Sequence, residues 1–107
     1  MSTTFETYNE LENYSKNNPN ILIVLNFKSQ FCKPCKIIKL FVDYLIENYP
    51  NVCFKYIDIN DENTQTISNY FKIAKIPTFI YYKNGSLCSK IIGTDKDIIE
   101  TNINEYV

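Results

Sequence analysis

The sequence predicts one α/β domain spanning residues 1–107. A central mixed β-sheet, with parallel strands first and an antiparallel hairpin last, is flanked by helices on both faces. Three observations predict it. The helical and strand-like patterns alternate through the first seventy residues, which implies parallel strands joined by right-handed crossovers. The run Ile21-Leu22-Ile23-Val24-Leu25-Asn26-Phe27 is nearly continuous in apolar side chains, as in a strand covered on both faces. Two further apolar runs then flank Lys83-Asn84-Gly85-Ser86, and Asn-Gly between apolar runs is the strongest short hairpin signal.

The elements follow in order. Phe5, Tyr8, Leu11 and Tyr14 recur at near-helical spacing and predict a helix over 3–17, stopped by Asn17-Asn18-Pro19-Asn20. Residues 21–27 are the first strand, and Lys28-Ser29-Gln30-Phe31 is the loop after it. A helix from Pro34 to Tyr49 carries Ile37, Ile38, Phe41, Val42, Leu45 and Ile46 on a broad apolar face. Pro34 suits the first turn, where a missing N–H costs little. Residues 52–58 are the second strand, and 61–71 a helix led by Asp61-Glu62. Residues 78–82 and 87–92 form the hairpin. A closing helix starts near Asp95, with Thr94 and Asp97 as a capping box and Ile98, Ile99, Ile103 and Tyr106 on its buried face.

Composition narrows the chemistry. The chain is 45% hydrophobic and 21% charged, enough for a core without disulfide staples. A net charge of −1 with no basic stripe argues against nucleic acid as partner. No run approaches the roughly 18 apolar residues of a membrane span. The start Met1-Ser2-Thr3-Thr4-Phe5-Glu6 lacks the basic and apolar regions of a secretory signal, so a soluble, cytoplasmic protein is expected. Histidine is absent, which removes imidazole catalysis and histidine metal ligands.

The chemistry-bearing stretch is Phe31-Cys32-Lys33-Pro34-Cys35-Lys36. Cysteines three apart at a helix start lie on one side of the first turn. The unpaired N–H groups and the positive end of the helix dipole there favour a thiolate. C-x-x-C spacing at a helix start lowers a thiol pKa from about 8.5 toward 7, near the optimum for thiol–disulfide exchange. Lys33 and Lys36 add positive charge and place the motif near solvent. The same spacing is also half of a zinc site. The second half is missing, although Cys53 and Cys88 could complete four ligands if the fold gathered them. An inert buried pair is the other alternative. Cys53 reads as a small core hydrophobe and Cys88 as filler or a regulatory thiol. Lys55, Lys72, Lys75 and Lys90 read as solvated, and the tyrosines as packing residues with wet hydroxyls.

With strand, Cys32-x-Pro34-Cys35-Lys36, helix, strand, helix, Ile76-Pro77-Thr78, hairpin and final helix in this order, the chain resembles the thioredoxin family, most closely its small eukaryotic type. Phe27, Asn51-Val52-x-Phe54, Asp58, Lys83-x-Gly85, Gly93 and the Ile103-Asn104-Glu105-x-Val107 ending also match, so the resemblance covers essentially the whole chain. It implies a thioredoxin-like fold and a thiol–disulfide oxidoreductase that reduces protein disulfides. Cys32 would be the nucleophile that forms a mixed disulfide, and Cys35 the buried resolving thiol. Pro77 would be cis, with Phe31, Lys33, Pro34, Ile76, Pro77 and Gly93 forming the substrate surface. No cofactor would be bound. Electrons would come from NADPH through a thioredoxin reductase, serving electron transport and cell redox homeostasis. Partners would be disulfide-containing proteins and that reductase, met by a monomer. The alternative is an interaction module of the same fold with weak redox activity. A disulfide oxidase or isomerase is a third reading.

The departures from the family pattern are informative. Phe31 stands where Trp is usual, and Lys33 where Gly is usual. Lys33 should alter substrate charge preference and shift the potential toward oxidising. Leu40 replaces a helix-kinking proline, and about two residues are added near 62–66. Asn26 replaces a buried Asp thought to take the proton of the resolving cysteine, and Asn has no carboxylate to do so. Tyr56 aligns with the second polar core position. Activity with a slowed resolving step is expected.

Overall fold

The computed structural model describes residues 5–107. The chain forms α1 (Tyr8–Asn17), β1 (Ile23–Lys28), α2 (Lys33–Asn48), β2 (Cys53–Asp58), a 3-10 turn (Glu62–Thr64), α3 (Gln65–Tyr70), β3 (Thr78–Lys83), β4 (Ser86–Ile92) and α4 (Lys96–Tyr106). The sheet order is β2-β1-β3-β4. β1 pairs parallel with β2 and antiparallel with β3, and β3 pairs antiparallel with β4. The mixed sheet expected from the sequence is therefore the one observed. The Asn-Gly turn forms as expected, with Asn84 and Gly85 both at positive φ.

Strand alternation divides the core in two. Ile23, Leu25 and Phe27 of β1 pack with Leu11, Ile57, Ile67, Phe71, Ile80 and Tyr82, beneath α1 and α3. Leu22 and Val24 pack on the other face with Ile38, Val42 and Leu45 of α2 and Ile99 and Ile103 of α4. Asn26 shares the α2 face by the same period of two. That alternation carries a polar side chain into the layer beneath the thiols.

Several local expectations are corrected. The predicted 3–17 helix starts at Tyr8, because Thr7 caps it in a reciprocal box with Glu10; residues 3–4 of that prediction lie outside the described residues. The 61–71 helix is split. The Thr64 hydroxyl donates to the Asp58 and Asp61 carbonyls, and Gln65 Nε2 donates to the Ile59 carbonyl. These side-chain bonds compete with helical ones, leaving a 3-10 turn and a short helix in the region of the added residues. In α4 the cap is Asp95, which accepts from Ile98 N at 3.2 Å, rather than a Thr94–Asp97 box. Ile98 faces outward, and so do Ile37 and Ile46 of α2, because a helix over a sheet buries only a narrow stripe.

The Tyr56, Tyr81 and Tyr82 hydroxyls are not wet. Tyr81 is fully buried and donates to the Ile99 carbonyl at 2.8 Å, and the Tyr82 hydroxyl meets that of Tyr8 at 2.7 Å. Lys90 is not merely solvated, since its ammonium donates to the Phe71 carbonyl at 3.0 Å and clips the end of α3 to β4. Cys53 is half-buried rather than buried.

Candidate active site

The site lies where three strands end together. Phe27, near the C-terminal end of β1, is opposite Thr78, the first residue of β3, and Thr78 is opposite Ile92, the last of β4. The loop after β1, the Ile76–Pro77 peptide before β3 and Gly93 after β4 are thereby gathered at one end of the sheet. The Ile76–Pro77 bond is cis, as the resemblance implied. The Thr78 hydroxyl donates to the Lys75 carbonyl, and Gly93 N–H donates to the Pro77 carbonyl at 2.9 Å. Gly93 has φ +107°, a conformation that L side chains rarely adopt, yet a Cβ there would meet nothing within 4 Å. Its glycine is demanded by backbone shape rather than by space.

The loop after β1 is tied at both ends. The Lys28 carbonyl accepts from Ile59 N (2.9 Å), and Ser29 Oγ accepts from Asn60 Nδ2 (2.8 Å) and from Phe31 N (3.3 Å). Cys32 N–H donates to the Ser29 carbonyl at 3.1 Å. This delivers Cys32 to the N-cap of α2, with Lys33 and Pro34 in the first turn. Cys32 and Cys35 are joined as a disulfide, with Cα atoms 5.3 Å apart.

Cys35 N–H donates to Cys32 Sγ at 3.2 Å. That contact places a first-turn N–H and the positive end of the helix dipole against Cys32 Sγ. The two sulfurs thereby occupy different settings on one turn of helix. Both sit just beneath the surface, at 8% and 7% exposure, although Lys33 and Lys36 beside them are exposed. Phe31 next to them is 80% exposed, an apolar platform with nothing packed over it.

Behind Cys35 lies a cavity of about 490 Å³, lined by Asn26, Lys28, Ser29, Gln30, Phe31, Lys36, Lys39 and Tyr56 as well as Cys35. Asn26 is 6% exposed, and its carboxamide oxygen is buried without a hydrogen-bond partner among the described residues. Tyr56 is opposite Asn26 across the β1–β2 pairing, with the Lys28 ammonium 4.1 Å above its ring. Burial pushes the Tyr56 phenol up, with the Asp43 carboxylate adding to the shift and Lys39 opposing it. Lys39 in turn pairs with Asp43 at 2.9 Å.

Lys28, Ser29, Gln30 and Lys39 were not expected at the site. The periods could have found two of them. Lys28 is two residues from Asn26 on a strand, and Lys39 four from Cys35 on a helix, so each shares its neighbour's face. Among the described residues no cluster of three His, Cys, Asp or Glu side chains is placed to hold a metal ion. Cys53 and Cys88 belong to opposite core layers, so they do not complete a four-cysteine site. Burial pushes the Cys88 thiol up, opposed by Lys83.

A redox-capable cysteine pair at a helix N-terminus, at the same end of a mixed sheet as a cis-proline, defines a thiol–disulfide oxidoreductase. The thioredoxin family model matches residues 3–105. The thioredoxin of Homo sapiens is 36% identical over 86 residues, covering 80% of each chain. The H-type thioredoxin of Ricinus communis is 30% identical over 97% of this chain and 86% of its own. Among solved structures, Fasciola hepatica thioredoxin superposes with a TM-score of 0.85 at 25% identity, over 95% of this chain and 96% of its own. Oxidised mitochondrial thioredoxin 3 of Saccharomyces cerevisiae gives 0.83 at 30% identity, over 96% and 93%. The chain belongs to the thioredoxin family, and its chemistry is protein-disulfide oxidoreduction.

Proposed function

We propose that the chain is a single-domain, monomeric protein-disulfide reductase in which Cys32 attacks and Cys35 resolves. The observation that carries this assignment is the Cys35 N–H to Cys32 Sγ contact, which favours the thiolate on Cys32 alone. Cys32 thiolate attacks one sulfur of a substrate disulfide, expelling the other as a thiolate and leaving a mixed disulfide. Cys35 then loses its proton and attacks Cys32 Sγ. The Cys32–Cys35 bond forms, the bond to the substrate breaks, and the substrate leaves as a second thiol. The substrate has gained two electrons and the protein has lost two.

Phe31, the cis Ile76–Pro77 segment and the Gly93 loop form the surface on which the substrate segment lies, with Lys33 and Pro34 on the exposed first turn beside it. The backbone of Ile76 supplies hydrogen bonds to that segment. The dithiol is restored by a thioredoxin reductase with electrons from NADPH, and the compartment is the cytoplasm. No described helix is long and apolar enough to cross a membrane, which is consistent with that setting. The chain would thus serve electron transport and cell redox homeostasis.

The test is reduction of insulin disulfides by wild type, Cys32→Ser and Cys35→Ser proteins. Wild type reduces insulin, Cys32→Ser does not, and Cys35→Ser accumulates a covalent adduct at Cys32. An active Cys32→Ser variant, or an inactive wild type, overturns the assignment.

A further inference from the structure

Resolution requires a base that this site does not itself contain. Cys35 is reached from the cavity behind it, so its proton must leave by that route. Of the lining groups, Lys28, Lys36 and Lys39 are cations, Asn26, Ser29 and Gln30 are neutral, and Tyr56 keeps its proton because burial pushes it up. The other charges on the packed elements are the cations Lys33 and Lys55 and three carboxylates: Asp43 of α2, already bonded to Lys39, Glu47 further along α2, and Asp58, opposite Lys28 at the strand ends. None of these lines the cavity, and the chain has no histidine. Water alone is a poor acceptor for a thiol of pKa about 8.5 at neutral pH.

Three ammonium-bearing side chains set the sign of an incoming base. Lys28 is placed over the Tyr56 ring and Lys39 is paired with Asp43, while Lys36 makes no ion pair among the described residues. The exposed Phe31 belongs both to this wall and to the surface on which the substrate lies, and it adjoins Cys32, so a polypeptide joined to Cys32 starts within reach of the cavity mouth. Two or three extended residues span roughly 7–11 Å, enough to carry a side chain from that point into the opening.

Building on the reductase reading, we propose that the base is a carboxylate of the bound substrate itself, an Asp or Glu close in sequence to the attacked cysteine. It enters the cavity against Lys36, beside Asn26, and accepts the Cys35 proton. The thiolate attacks Cys32 Sγ, the Cys32–substrate bond breaks, and the leaving sulfur takes a proton back from the carboxylic acid or from solvent. The site thereby selects acidic disulfide segments at the resolving step rather than at the first attack.

The experiment is single-turnover quench-flow at pH 7 with acid trapping and mass spectrometry. Reduced protein is mixed with two disulfide peptides that differ only in Glu or Gln two residues from the cysteine. Adduct formation at Cys32 and adduct decay are read separately. With comparable initial attack, decay is expected to be about tenfold faster for the Glu peptide. Lys36→Met should shrink that ratio. Asn26→Asp places a carboxylate in the cavity and should also shrink it, by accelerating the Gln peptide. Sodium formate should accelerate the Gln peptide more than sodium chloride at matched ionic strength.

Equal decay of the two peptides in wild type overturns the inference, as does an undiminished ratio in Asn26→Asp. Equal decay with acceleration of both peptides by formate also overturns it, in favour of a free small anion as the base. Failure to form any adduct overturns the reductase reading instead, so the two failures are told apart.

Discussion

The two faces of the sheet are built to different standards. Under α1 and α3 the layer is packed through aromatic contacts: Phe71 meets Tyr8, Phe27 and Tyr82 edge-on, and Tyr8 stacks on Tyr70, with a smaller surface pocket beside them that the thiols do not line. The Tyr8 and Tyr82 hydroxyls pair there, while the Ser68 hydroxyl of α3 is buried without a partner among the described residues. Under α2 the layer is incomplete: it has a cavity, a buried carboxamide oxygen without a partner and three lysines at the walls. Strand β1 serves both faces, so a single residue step separates Phe27 in the finished layer from Asn26 in the unfinished one. Both faces bury a full layer of apolar side chains, and the larger opening lies on the face that carries the thiols.

That contrast can be broken by experiment, beginning with the largest effect. Phe27→Ala opens a void in the finished layer and is expected to cost about 3–5 kcal/mol, read as a lowered urea midpoint with an unchanged slope. Asn26→Leu, one residue away, is expected to raise stability by about 1–3 kcal/mol, because it removes a buried polar group that lacks a partner. The same variant should change the rate of mixed-disulfide decay. A loss of stability in Asn26→Leu would show that the thiol face is as tightly packed as the other.

Tyr81→Phe removes the bond to the Ile99 carbonyl and is expected to cost about 1 kcal/mol at neutral pH. It also tests a pH effect. Burial pushes the Tyr81 phenol far above its ordinary value, so the folded state keeps a proton that the unfolded chain releases. This contribution leaves stability unchanged below about pH 10 and lowers it progressively above that. Tyr81→Phe should flatten that alkaline decline, seen in thermal midpoints between neutral and strongly basic pH. Thr7→Ala, which uncaps α1 over the closed face, is expected to cost about 1 kcal/mol and to leave insulin reduction unchanged.

Much of this was legible in the sequence because its signals are local. The Asn84-Gly85 turn, Pro34 in a first turn and Cys32 at a helix start each rest on short-range backbone rules. The narrow buried stripe of α2 was misjudged because apolar character at Ile37 and Ile46 does not reveal which way the helix is rolled. The 3-10 turn was missed because it depends on Thr64 and Gln65 reaching carbonyls several residues back. The cavity was hidden for a different reason. It is bounded by β1, its following loop, α2 and β2, and only the assembled sheet brings Tyr56 opposite Asn26.

The disulfide closes a ring across a sequence separation of only three. Cross-links over so short a stretch remove little freedom from an unfolded chain. The long-range order comes instead from pairings such as Ile23 with Tyr82, which the thiols do not touch. A carrier that alternates between two oxidation states cannot afford a shape that depends on which one it occupies. Here the bond that is made and broken in every cycle is the one the architecture relies on least.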